Sequence, residues 1–252
     1  MPVELYNKGD HVCVAFRDLV SGEAVQANQF LIYDNDHAAL IDPGGDLTYS
    51  ALFMEISNYM NVRSLDYVLA SHQDPDIVAS LNKWLVGTDC KVVVPALWER
   101  FIPHFTRPGK LTGRVISIPD QGMNLALGGI QLKALPAHFL HAEGNFQFYD
   151  PKSRILFSGD LGANLCPTEV INTPARHIDE VLPYMEGFHK RYMNSNVVCR
   201  YWAHMVADLD ISMIVPQHGR AFTGKAVPEF IRWISELQCG IDLMSQANYC
   251  LP

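Results

Sequence analysis

Four short apolar runs in this chain each stop on a histidine or an aspartate. That repeated ending constrains the fold more than any bulk property. Tyr67–Ala70 runs into SHQDPD, which places His72, Asp74 and Asp76 directly after a strand-type segment. Ile130–Leu135 leads through PAHFLHAEG to His138 and His141, RILFSGD ends on Asp160, and SMIVPQHG ends on His218. Short aliphatic runs bounded by turn formers read as buried strands. Polar side chains just past such strands gather at a sheet edge, where neighbouring strand ends open on one cleft. Imidazole and carboxylate donors without thiolate suit Fe, Mn or Zn rather than an iron–sulfur cluster. Each piece has a plainer alternative. Asp74 or Asp76 can cap a helix starting near Ile77, Asp160 can be another N-cap, and His218 before a glycine can be a hydrogen-bonded loop residue. Four such endings together point to a shared metal site. His138, three residues before His141, is either a supporting partner of a ligand or polar filler.

The rest of the chain supplies the frame. Strands are expected at Val12–Phe16, Phe30–Tyr33, Ala38–Ile41, Tyr67–Ala70, Lys91–Pro95, Val115–Ile118, Ile130–Leu135, Phe146–Tyr149, Arg154–Phe157 and Met213–Val215. Apolar spacing predicts helices over Leu47–Met60 and Ile77–Leu85, and over about 177–194, 196–208 and 227–246. Strand groups carrying helices on their outer faces predict an α+β fold, a layered αββα sandwich. No low-complexity stretch, charge block or linker divides the chain, so residues 1–252 are expected to form a single unit.

Composition excludes several functions. The formal charge of −8 without a Lys/Arg cluster lacks the basic footprint of a nucleic-acid binder. No apolar stretch approaches the roughly 20 residues that span a bilayer, and the N-terminus lacks the features of a signal peptide. The six cysteines, at 13, 90, 166, 199, 239 and 250, show no CxxC and read as buried reduced thiols of a cytoplasmic protein. His11, His37, His104, His177, His189 and His204 are expected on the surface or on helix faces.

The order HxDxD, His, Asp, His, with LFSGD and VPQHG, resembles the metallo-β-lactamase superfamily. Within it the match is to the diiron domain of flavodiiron proteins, which carry HxExDH, LHWPDSM, LFSxD and APSHG at these places. The present chain reads SHQDPDIVAS, FLHAEGNFQFYD, ILFSGDLGAN and IVPQHGRAF, and ANQFLIYDNDHAALIDPGG is similar to the family's opening. Three departures stand out: Asp74 replaces a glutamate, Ile77 replaces a histidine, and no FMN-binding flavodoxin domain or Gly-rich phosphate cradle is found.

The resemblance implies one metal bound by His72, Asp74 and His141, another by Asp76 and His218, and Asp160 bridging the two. The added carboxylate at position 74 favours redox iron over a zinc pair, so two iron ions are expected, with no FMN in this chain. This pattern is similar to the stand-alone oxygen-binding diiron proteins of bacterial signalling and chemotaxis. It implies O2 or NO as ligand, a signalling or chemoreceptor protein as partner, and a homodimer as the oligomer to look for. Two alternatives follow the same residues: an O2 or NO reductase fed by a separate electron carrier, and a zinc-type hydrolase.

Overall fold

The computed structural model describes residues 2–20, 22 and 24–251. Two sheets pack face to face. The first has seven strands in sequence order: β1 (Pro2–Lys8), β2 (His11–Phe16), β3 (Gln29–Asp34), β4 (His37–Ile41), β5 (Tyr67–Leu69), β6 (Lys91–Pro95) and β7 (Val115–Ile118). β1 to β4 pair antiparallel, and β4 to β7 pair parallel through helical crossovers. The second sheet contains β8 (Met123–Leu127), β9 (Ile130–Pro136), β10 (Phe146–Asp150), β11 (Ile155–Phe157), β12 (Met213–Val215) and β13 (Phe222–Thr223), with β13 and β8 at its edges.

Strict alternation along the strands explains the layering. Cys13, Ala15, Phe30, Ile32, Ala39, Ile41, Leu69 and Val93 point inward to meet Leu132, Phe146, Phe148, Ile155, Phe157 and Val215 of the facing sheet. The intervening Val14, Phe16, Leu31, Leu40, Val68, Val92 and Val94 point the other way. They pack under α1 (Tyr49–Ile56), α2 (Pro75–Val78) and α3 (Leu81–Gly87). On the outside of the second sheet, Tyr149, Leu156 and Ile214 lie under α4 (Leu182–Tyr192), α5 (Asn196–Val206) and α6 (Ala226–Glu236). The expected αββα sandwich is the observed fold, of α+β class.

Several boundaries differ from the sequence reading. β1, β8 and β13 are additional strands. β13 is two residues long, and β1 carries exposed or half-buried residues throughout, so neither has a buried apolar run to betray it. The helix expected at 47–60 stops at Ile56, where Ser57 and Asn58 favour a turn. That expected over Ile77–Leu85 divides at Ser80, whose hydroxyl donates to the carbonyls of Pro43 and Gly44 after β4. Residues 178–180 form a 3-10 turn before α4, and α6 ends at Glu236, well short of 246. Of the histidines expected on the surface or on helix faces, His11 is instead fully buried on β2, and His189 lies on the buried face of α4. Cys166 is half-buried and Cys250 exposed, whereas the other four cysteines are buried, and all six are free. No helix among the described residues is long and apolar enough to cross a membrane.

Candidate metal centre

The polar strand ends converge on one edge of the sandwich. His72 follows β5. Asp74 and Asp76 open α2, held by Pro75 at its first turn. His141 lies in the loop after β9, Asp160 after β11, and His218 after β12. Asp74 stands at the N-cap position of α2, yet its side chain makes no capping hydrogen bond. Instead its Oδ2 lies 3.6 Å from His72 Nε2 and 3.5 Å from His141 Nε2. The capping alternative for this aspartate therefore fails.

Asp160 sits at the centre. Its Oδ2 is 2.9 Å from His141 Nε2 and 3.9 Å from His72 Nε2, while its Oδ1 is 3.4 Å from His218 Nε2. His218 Nε2 is in turn 3.4 Å from Asp76 Oδ2. One carboxylate oxygen thus faces the group His72, Asp74 and His141, and the other faces Asp76 and His218. Metal–ligand bonds of roughly 2.0–2.2 Å set neighbouring ligand atoms roughly 3–3.5 Å apart, close to these separations. Donor atoms from His72, Asp74, His141 and Asp160 all lie within 4.8 Å of one another. His72 Nε2 and Asp160 Oδ1 are buried with no hydrogen-bond partner among the described residues. Buried polar atoms are normally satisfied, so two orphans, one in each of the two donor groups that meet at Asp160, fit a site built for cations.

The tautomers are fixed from behind. His218 Nδ1 donates to the Gln26 carbonyl at 2.7 Å, and a carbonyl only accepts, so the neutral ring turns its Nε2 lone pair to the site. Ser71 Oγ donates to Asp42 Oδ2 at 3.1 Å, which leaves it to accept from His72 Nδ1 at 3.0 Å and again frees Nε2. Asp42 also accepts from the Ser71 amide at 2.8 Å, and burial pushes its carboxyl up to about 6. Such supporting partners orient ligands and raise their basicity. Gly219 is required at its place: with φ at +85°, an added Cβ would come within 1.9 Å of the Asn164 carbonyl.

Charge completes the description. Burial alone would push Asp160 up, but the hydrogen bond from His141 and the nearness of His218 and His72 hold it well below the usual carboxylate range. Burial would likewise lower His218, yet Asp160 and then the Gln26 carbonyl and Asp76 raise it to about 9. Protons sit where cations fit, and a metal ion replaces them when it binds.

A cavity of about 520 Å³ opens above the carboxylates, with Val20, Ala27, Leu47, Phe188 and Tyr192 among its apolar lining. Phe188 and Tyr192 stack on each other and stand edge-on to the His141 ring at 6.1 and 5.8 Å. His138 takes no part in this arrangement. Its Nε2 bonds the Asp120 carbonyl at 2.8 Å and its ring lies edge-on to Phe146, so it does not support His141 as the sequence allowed. Ile77 is fully buried in the core beneath the first helical layer. Sequence reasoning missed Gln26, Ser71, Phe188 and Tyr192, which carry no motif. It also passed over Asp42, although that residue follows the apolar run of β4 just as Asp160 follows β11.

Comparison with known proteins gives the family and the fold. A family model described as ODP family beta lactamase matches residues 25–219. Two structures of the chemotaxis sensor ODP superpose over 96% of this chain and 97% of theirs. One, described as its peroxy diiron species, has 39% identity and a TM-score of 0.85. The other, the apo state from T. denticola, has 38% identity and a TM-score of 0.86. The flavodiiron protein of Giardia intestinalis, at 18% identity and a TM-score of 0.76 over 92% of this chain and 58% of its own, shares the fold. An uncharacterized protein of Methanocaldococcus jannaschii is 24% identical over 216 residues, or 82% of this chain. The chain spans about half the length of that relative, 52%. The chain belongs to the ODP family, built on the metallo-β-lactamase-type fold.

Proposed function

We propose that this chain is a non-haem diiron protein that binds O2 and acts as an oxygen sensor in signalling. The reading rests on one observation above all: the Asp160 carboxylate presents one oxygen to each of two groups of donors. His72, Asp74 and His141 hold one iron, Asp76 and His218 hold the other, and Asp160 joins them. Three carboxylates against three imidazoles give the set a negative charge that favours a redox-active metal over a Lewis-acid zinc pair. A ferrous pair held there would supply the redox chemistry that binding O2 or NO requires. The residues do the rest. Gln26 and Ser71 keep the Nε2 atoms directed inward, and the apolar lining from Val20 to Tyr192 suits a small uncharged gas. Superposition over 96% of this chain on the chemotaxis sensor and 38–39% sequence identity support the signalling role. A signalling protein that reads the oxidised state is the partner this role requires.

The test is metal content together with oxygen consumption. Protein made in iron-replete medium carries about two iron ions per chain. Reduced without oxygen and then exposed to air, it gives a new visible or near-ultraviolet band and reacts once. Sustained oxygen or NO consumption with a generic reductase and NADH would favour the reductase reading instead. Two zinc ions under all growth conditions would refute the diiron reading.

A further inference from the structure

A second group of ligand-type side chains lies between the sheets, at the opposite end of β10. The Phe146 amide bonds the Ser71 carbonyl beside the metal centre, and Asp150 closes the strand four residues later, roughly 13 Å away at 3.2–3.4 Å per residue. There Asp150 meets His11 and Cys13 of β2 in the facing sheet, and all three are fully buried. His11 Nε2 is 2.7 Å from Asp150 Oδ2, and Cys13 Sγ is 3.6 Å from that nitrogen and 3.4 Å from that oxygen. These three donor atoms meet the spacing of a metal-binding group.

We propose that His11, Cys13 and Asp150 form a closed structural site for a zinc-class divalent cation that ties the two sheets together. Bonds of roughly 2.0–2.3 Å to N, O and S in a tetrahedron place ligand atoms roughly 3.3–3.7 Å apart. Sulfur already stands at that distance from both partners. Only the nitrogen–oxygen edge is shorter, because the two atoms share a proton. The other ring nitrogen, His11 Nδ1, bonds Asp34 Oδ1 at 2.8 Å, the carboxylate support that metal-bound histidines carry. Lys152 Nζ balances that carboxylate at 2.7 Å. The Ser153 hydroxyl, already bonded to Asp150, is the neutral donor at hand for a fourth position. Binding M²⁺ releases two protons, the one shared by Nε2 and Oδ2 and the one on the Cys13 thiol. Burial pushes that thiol up, so it ionises only when a cation takes the proton's place. The set His, Cys and Asp, with a thiolate, selects zinc-like ions over magnesium or calcium. A nucleophilic role for the Cys13–His11–Asp34 alignment is excluded by burial, since no substrate reaches the sulfur.

The sealed position means that the ion enters as the chain folds, so the experiment uses full-length protein expressed in cobalt-supplemented medium. The main centre has only nitrogen and oxygen donors, and a sulfur-to-cobalt charge-transfer band in the near ultraviolet therefore reports this site alone. The band is expected in the wild type and in Asp160→Ala, and lost in Cys13→Ser together with one equivalent of cobalt. Asp34→Asn retains all three ligands. It lowers the chelator concentration that strips half of the band roughly 10–100-fold, the usual effect of removing such support, and it serves if Cys13→Ser fails to fold. Absence of the band in the wild type, its survival in Cys13→Ser, or an unchanged chelator profile in Asp34→Asn would overturn the proposal.

Discussion

Replacing Asp160 by Asn keeps the shape of the side chain and removes its charge, which makes it the sharpest probe of the centre. In the metal-free chain Asp160 is the counter-charge for three imidazoles at 2.9, 3.4 and 3.9 Å, and its side chain is 8% exposed. Asp160 is the chief of the groups, with the Gln26 carbonyl and Asp76, that lift His218 against burial from 6.5 to about 9, a displacement worth roughly 3 kcal/mol at 1.36 kcal/mol per pH unit and so the order of magnitude at stake. Breaking a buried pair costs about 3–5 kcal/mol, in agreement. For a chain of this size about 3 kcal/mol lowers Tm by roughly 6–12 °C. The sign follows from the raised value. The His218 contribution is fully present below about 6.5 and is lost as pH rises through about 9. Scanning calorimetry of metal-free wild type and Asp160→Asn should therefore show the full deficit at pH 6 and a smaller one at pH 9.5. Elemental analysis should show both irons gone, because each donor group loses its share of the carboxylate. A full complement of metal in Asp160→Asn, or equal Tm values at pH 6, would refute the assignment.

Three further outcomes follow. His218→Ala should empty chiefly the position formed with Asp76, leaving about one iron per chain by elemental analysis, and equal loss of both irons would leave the bridging role of Asp160 unsupported. Ser71→Ala removes the acceptor behind His72 Nδ1 and should weaken metal binding roughly 10–100-fold in a chelator competition. Phe157→Ala opens a cavity between the sheets, where its ring packs at 5.0 Å against Phe30, and should cost about 3–5 kcal/mol in urea unfolding without changing the m-value.

The sequence by itself determined the layers and singled out the residues that the structure gathers at the candidate centre. Apolar alternation marks which face of each strand is buried, because the side-chain period of two is a local property. The polar endings at Asp74, Asp160 and His218 were legible for the same reason: a ligand at the end of a buried strand interrupts an apolar run. The family resemblance then supplied the pairing of those residues, which spacing alone left open. Tertiary structure decided what depends on segments far apart in sequence. Asp74 could be read as a helix cap until His141, 67 residues later, was found beside it (141 − 74 = 67). The backing of His218 comes from the carbonyl of Gln26, which any residue type provides and no motif announces. His11 belongs to no motif and reads from sequence as a surface or helix-face residue. Only the packing of the sheets brings Asp34 and Asp150 onto its two nitrogens. Local patterns record burial and turns, whereas the partners of a buried polar group are chosen by the pairing of distant strands.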